Sequence, residues 1–219
     1  VNAEIFYNKL NIFKKTYQYY LLFGFSLLVI FFINIFRVKK NKIIEWIKKI
    51  FTALLILTFI FHGLGIGLRW YISGHAPWGD AYESMIYVAW ATMGIGLLFI
   101  KKSDLTLAST SFVTSMILMI AHWNWMDPSI ANLVPVLNSY WLMIHVSVIV
   151  GSYGPFALSM ILGFVSLLLI VFITRTNKEK IKNQLSELTM INELSVTVGL
   201  IMLTIGNFLG GMWANESWG

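Results

Sequence analysis

The sequence predicts an all-α, polytopic integral membrane protein with about six transmembrane helices, and three observations predict it. Of the 219 residues, 58% are hydrophobic and only 12% are charged, too few charges for a soluble domain to cover its surface. Apolar runs recur along the chain, each of about 18 residues or more and so able to cross a hydrocarbon layer roughly 30 Å thick. Lys and Arg gather in short clusters beside those runs, which reads as a topology signal rather than a nucleic-acid surface, although the net charge is +6. No segment alternates with period two as a barrel strand would, so helices are the expected way to satisfy the backbone in lipid.

The first span covers about residues 17–36 and is followed by Arg37, Lys39, Lys40, Lys42, Lys48 and Lys49. The second covers about 50–68, and a polar loop over 69–82 leads to the third, about 83–100, closed by Lys101 and Lys102. The fourth covers about 105–121, and a Trp-rich loop then extends from His122 to about Asn138. The apolar stretch 140–174 exceeds one membrane thickness, so it reads as one tilted helix that starts outside the bilayer, with Gly151, Gly154 and Pro155 as candidate kink positions. A basic linker (Arg175, Lys178, Lys180, Lys182) precedes the sixth span, about 190–212.

Loops after the first, third and fifth spans hold twelve Lys and Arg, against four on the other side. The positive-inside rule then places both ends outside the cytoplasm. His75, the Trp-rich loop and the C-terminal tryptophans consequently share one outer face. The whole of 1–219 reads as a single membrane domain. Its first residue is Val, and no cleavable signal pattern is visible. Its last ten residues read as the opening of a segment that continues, so a piece of a longer protein is expected.

The chain has no cysteine, which excludes disulfides, thiolate chemistry and iron–sulfur ligation by its own residues. Imidazoles are the remaining strong ligands. His145 lies a few residues into the fifth span, where an imidazole is costly unless it meets a polar cavity or partner; haem iron suits it, and a hydrogen bond to a neighbouring helix is the plainer alternative. His75 sits in a Gly/Pro turn as a candidate ligand or a solvated loop residue. His62 reads as a helix-to-helix hydrogen bond and His122 as a helix-end residue. Seven tryptophans (Trp70, Trp78, Trp123, Trp125, Trp141, Trp213, Trp218) fall near the outer boundary. They form either an aromatic belt or a shelf for a flat macrocycle. Arg69 could pair with an anionic ligand group or snorkel at a helix end. Asp80, Glu83 and Glu216 share the outer face, with no spacing that implies acid–base catalysis.

Particular strings carry a resemblance. The run 67–84, with Arg69, Trp70, Gly74, His75, Pro77, Trp78, Tyr82 and Glu83, is followed by Met126, Asp127 and Pro128, by the stretch 133–141, by His145, and by Ser152, Tyr153 and Gly154. With Trp213, Glu216 and Trp218 near the end, this order resembles the System II cytochrome c biogenesis family (CcsA, or its fused form CcsBA), over roughly residues 50–219. The resemblance implies a haem-handling membrane protein that supports haem export and attachment to the two thiols of a CxxCH apocytochrome c. His145 then corresponds to an outer-face axial ligand of haem iron. Trp213 and Trp218 belong to the tryptophan-rich segment that opens at about residue 210, and Arg69 and His75 are further cofactor-binding candidates. A second outer His is expected beyond Gly219, and a CcsB-type half is expected as a fused or separate partner. Holocytochrome c synthase activity is implied for the complete protein, not for this piece. Haem, apocytochrome c and the lipid bilayer are the implied partners, with no nucleic acid. The location is a bacterial inner membrane, or a thylakoid membrane in a plastid. Two other readings remain open from the residues alone: a haem exporter without attachment activity, and a b-type cytochrome subunit.

Overall fold

The computed structural model describes residues 2–36, 41–123, 126–130, 139–174 and 177–218. Arg37, Lys39, Lys40, Trp125, the motif residues 131–138 and Arg175 lie outside them. Seven α-helices and no strand occur among the described residues: α1 (Asn2–Leu10), α2 (Ile12–Phe36), α3 (Lys42–Ser73), α4 (Ala81–Leu98), α5 (Asp104–His122), α6 (Tyr140–Val171) and α7 (Lys178–Trp218). Local chemistry sets several ends. Asn41, Asp80 and Ser103 cap α3, α4 and α5 by accepting backbone N–H groups two or three residues on. Gly74 closes α3 in the left-handed conformation, φ 73°, where a Cβ would be strained. Asn11, at φ 45°, separates α1 from α2, and Asn is among the few side chains that tolerate that region.

Several boundaries differ from the sequence reading. α3 runs through Ser73, so Arg69, Trp70 and Tyr71 are helical and the loop shrinks to 74–80. The buried Arg69 side chain, whose partners lie inward, carries the helix past the point where hydropathy falls. α7 takes in the basic linker from Lys178 and the aromatic end through Trp218, 41 residues in all. The linker is rich in Lys, Glu, Gln and Leu, all good helix formers, and contains no Pro to stop it. α6 runs unbroken through Gly151, Gly154 and Pro155, as one 32-residue helix.

Five stretches are long and apolar enough to cross a membrane: 3–34, 42–73, 104–122, 140–171 and 178–218. α4, the third span expected from the sequence, is not among them. It is 18 residues long and carries Glu83, Thr92 and several aromatics, a composition tolerable because it packs against α5 and α6 rather than facing outward. The lipid-facing character lies elsewhere. Leu57, Ile60 and Leu64 on α3, Met160, Phe164 and Leu167 on α6, and Ile201, Ile205 and Phe208 on α7 are all exposed. This is an inverted surface, consistent with a polytopic membrane protein.

α2 packs against α3 and α5, α4 bridges to α5 and α6, and α6 pairs with α7 along most of its length. Where α5 meets its neighbours it is lined by small hydroxyls: Thr106, Ser109, Thr110, Ser111, Thr114 and Ser115 are buried. A Cβ on Gly96 would come within 2.7 Å of Thr110 Oγ1, so this crossing depends on small residues in the manner of membrane helix pairs. The alternation of direction brings one set of helix ends together. Phe13 meets Tyr82 at 6.2 Å, Tyr17 meets His122 at 5.6 Å, and Trp78 Nε1 donates to Met143 O at 3.1 Å. At the opposite end, Lys48 pairs with Asp104 at 2.9 Å and Phe32 meets Phe172 at 6.3 Å. One end of the bundle is therefore aromatic and the other basic.

Candidate functional site

The aromatic end holds two polar centres. The first is built by the α6–α7 pair. Gly206, Gly210 and Trp213 are spaced by four and three residues on α7, so they form one stripe, and His145 of α6 lies on it. His145 Nδ1 is 2.7 Å from Gly206 O. A carbonyl can only accept, so Nδ1 carries the proton and donates, which in the neutral form of the ring leaves the lone pair on Nε2. The imidazole lies against Gly210, where a Cβ would come within 2.6 Å of Cε1 and 2.9 Å of Nδ1. Trp213 is nearly parallel to the imidazole, 6° between planes at 6.5 Å between centroids. Trp218 follows at 5.3 Å from Trp213. Trp213 Nε1 is buried without a hydrogen-bond partner, whereas the indole nitrogens of Trp78 and Trp90 donate to Met143 O and Phe59 O.

Haem as a substrate asks for a neutral imidazole with a free Nε2 and a flat apolar surface. The Nδ1 hydrogen bond of His145 and the Trp213 ring parallel to its imidazole have that character, and Trp218 extends the aromatic surface at an angle. Among the described residues no group of three or more His, Asp and Glu is placed to hold a bare metal ion.

The second centre is Arg69. Its side chain is completely buried, and each nitrogen finds an acceptor. Nε donates to Glu83 Oε1 at 2.8 Å, and the two terminal nitrogens donate to Pro128 O at 2.8 Å and Ser129 O at 2.9 Å. Asp80 lies 3.8 Å away, and the guanidinium sits 5.1 Å over the Tyr82 ring. Glu83 also accepts the Gly79 N–H at 2.9 Å while Asp80 accepts the Glu83 N–H at 2.6 Å. Asp80 thus caps α4, and Glu83 reaches back to the N–H just before the cap, a variant of the capping box. Arg69 thus neither snorkels nor points outward; it ties α3 to α4 and to the segment after α5. Partial burial raises the Asp80 carboxyl above its ordinary range. The Ser129 N–H, donated to Asp127 Oδ1 at 2.9 Å, holds Asp127 below it.

His75 is half-buried in the turn after α3, with Nδ1 3.2 Å from Ala76 O. The same turn carries Trp78, the residue that connects the two centres. Trp78 lies 5.5 Å from Trp70 and 5.0 Å from Tyr87 by ring centroids, and its hydrogen bond to Met143 O reaches α6 just before His145. The structure therefore groups His145, Trp213 and Trp218 and places Arg69 with Glu83, Asp80 and Tyr82. His62 belongs to neither centre; it is fully buried, 5.5 Å from Phe13 and with Nδ1 3.5 Å from Tyr20 Oη. His122 borders a cavity of about 420 Å³ with Tyr7, Asn11, Lys14 and Asp127.

Sequence reasoning missed the roles of five residues. Glu83 as the buried partner of Arg69 was signalled by the Asp80-x-x-Glu83 pattern. Gly206 and Gly210 were signalled only by their four-residue spacing. The carbonyls of Pro128 and Ser129 had no side-chain signal.

The bundle and its aromatic end define the class: a polytopic helical membrane protein with an imidazole held through Nδ1 and two neighbouring indoles at one face. Residues 78–219 match the model of the cytochrome c assembly protein family, and the chain belongs to that family. It is similar to protein NrfI of Wolinella succinogenes, 42% identical over 220 residues, covering 100% of this chain and 24% of that protein. It is also similar to the cytochrome c biogenesis protein CcsA of Chlamydomonas reinhardtii, 31% identical over 207 residues (90% of this chain, 54% of that protein). CcsA of Prochlorococcus marinus strain MIT 9301 is 27% identical over 215 residues (84% and 66%). The chain spans about a quarter of NrfI and between about half and two thirds of these CcsA proteins.

Proposed function

We propose that this chain supplies one side of a haem-holding site in a System II cytochrome c assembly protein. His145 Nε2 is an axial ligand of the iron, and Trp213 and Trp218 form part of the surface under the porphyrin. The observation that carries the reading is the hydrogen bond from His145 Nδ1 to Gly206 O at 2.7 Å. It fixes the tautomer and orients Nε2, as metal-ligating histidines require. Arg69 and His75 act at the same face. Arg69, with its own nitrogens engaged, fixes the turn that carries His75 and Trp78, and any haem carboxylate it meets has to compete with those acceptors.

The complete protein exports haem and presents it at the outer face to a CxxCH apocytochrome c. Haem iron and its vinyl groups bring the electronic chemistry when bound; this chain's residues orient the macrocycle and exclude water, so that attachment becomes a positioned encounter. The basic end faces the cytoplasm of a bacterial inner membrane, or the stroma in a plastid, by the positive-inside pattern. A second axial His and a CcsB-type half complete the assembly. The test is the absorption spectrum of the complete protein purified from haem-replete cells, with His145→Ala beside wild type. Ligation predicts a reduced-haem band that the variant loses and added imidazole restores. An unchanged band and occupancy would move the ligand role elsewhere.

A further inference from the structure

We infer that Gly210 is a positioning residue for His145, and that the Gly206–Gly210 ledge of α7 sets both the orientation and the tautomer of that imidazole. The inference rests on the ligand reading of His145 and adds a separate element to it. A helical side chain leans back toward the N-terminus, over the preceding turn. Position 210 therefore lies over the carbonyl of Gly206, and glycine there does two things at once. It opens the space in which the ring lies, since a Cβ would stand 2.6 Å from Cε1, 2.9 Å from Nδ1 and 3.2 Å from Nε2. It also leaves Gly206 O accessible from the side, so that this oxygen, already the end of a helical turn, uses its second lone pair for Nδ1–H at 2.7 Å.

The neighbouring glycines separate this role from general helix packing. A Cβ on Gly206 would strike Ile149 at 2.5 Å, and a Cβ on Gly211 meets nothing within 4 Å. Of these three positions, only at 210 would an added Cβ meet the imidazole. Trp213, one turn further along the same stripe, lies parallel to the ring and limits how far the ring can tilt away if a side chain is added at 210. Ring placement on α6 is thus dictated by backbone features of α7, and a shift of one helix along the other changes what Nε2 presents.

The experiment uses the complete protein with Gly210→Ala, Gly211→Ala and His145→Ala beside wild type. It measures haem retained per folded protein and the reduction potential of the haem that remains. Losing an outer partner of a ligating His typically costs roughly 10–100-fold in affinity, so Gly210→Ala should retain haem that much more weakly. Its residual haem should have a higher potential, because a ring without the Nδ1 hydrogen bond is a poorer donor to ferric iron. Gly211→Ala should match wild type in both. Retention and potential unchanged in Gly210→Ala, with His145→Ala impaired, would overturn the ledge while leaving the ligand. If His145→Ala is also unchanged, the ligand reading itself fails. Should Gly210→Ala not fold, the ring-nitrogen ¹⁵N shifts of His145 in haem-free wild type decide the matter. A protonated Nδ1 supports the ledge, and a bare Nδ1 with the proton on Nε2 overturns it.

Discussion

Arg69 and His145 occupy the same end of one bundle and differ in what remains of their bonding capacity. Arg69 is fully buried, and its three nitrogens donate to Glu83, Pro128 and Ser129. His145 commits Nδ1 to Gly206 O and keeps Nε2. A saturated buried cation holds structure together, whereas an oriented imidazole with a lone pair left over has capacity for a ligand. Polarity inside a membrane protein marks function only once its hydrogen bonds have been counted.

The largest expected effect is on the Arg69 side. Glu83→Ala leaves a guanidinium buried beside two carbonyls, and breaking a buried pair from one side costs about 3–5 kcal/mol. Thermal unfolding in detergent should show a large loss, with haem retained per surviving folded molecule close to wild type. A loss confined to haem affinity would reverse the roles assigned to the two centres. Arg69→Lys comes next. One ammonium cannot serve three diverging acceptors, and hydrogen bonds to charged groups are worth roughly 1.5–3 kcal/mol each. Unfolding at the wild-type temperature would show that the fork geometry is dispensable.

Trp78→Phe probes the link between the centres. It keeps the ring contacts and removes the donor to Met143 O, a change of about 0.5–1.5 kcal/mol in stability. Because Met143 precedes His145 on α6, the reduced-haem band should shift slightly as well; a band identical to wild type would show that the two centres are uncoupled.

The smallest effect is a pH dependence. Asp127 is held below the ordinary carboxylate value of about 3.9 by the Ser129 N–H. Its contribution is present above that value and is lost as pH falls through the depressed one. Asp80, raised by burial, runs the other way, since protonation relieves its desolvation. Asp127→Asn therefore isolates the Asp127 component. The variant should lose less stability on acidification than wild type, and equal acid profiles would remove Asp127 from the turn's energetics.

Much of the fold was legible because lipid imposes long apolar runs, and those runs located five of the helices. The ends were less legible. Hydropathy drops at Arg69, yet the helix continues to Ser73 because the guanidinium finds its partners inward. The basic linker from Lys178 is helical because nothing in it stops a helix. At the site, His145 stood out as an imidazole in an apolar span, and the two tryptophans as residues past the end of the sixth span. What remained hidden is carried by backbone: the carbonyls at 128, 129 and 206 and the missing Cβ at 210 have no side chain by which a sequence could announce them.

The most direct measurement is an exchange of ligand type. His145→Cys, in a segment with no other cysteine, would place a thiolate where the imidazole stands, and haem spectra differ strongly between the two ligands. His145 ligation predicts that the complete variant protein, loaded with ferric haem, shows a shifted, thiolate-type absorption spectrum. A spectrum indistinguishable from wild type at equal haem content would contradict it.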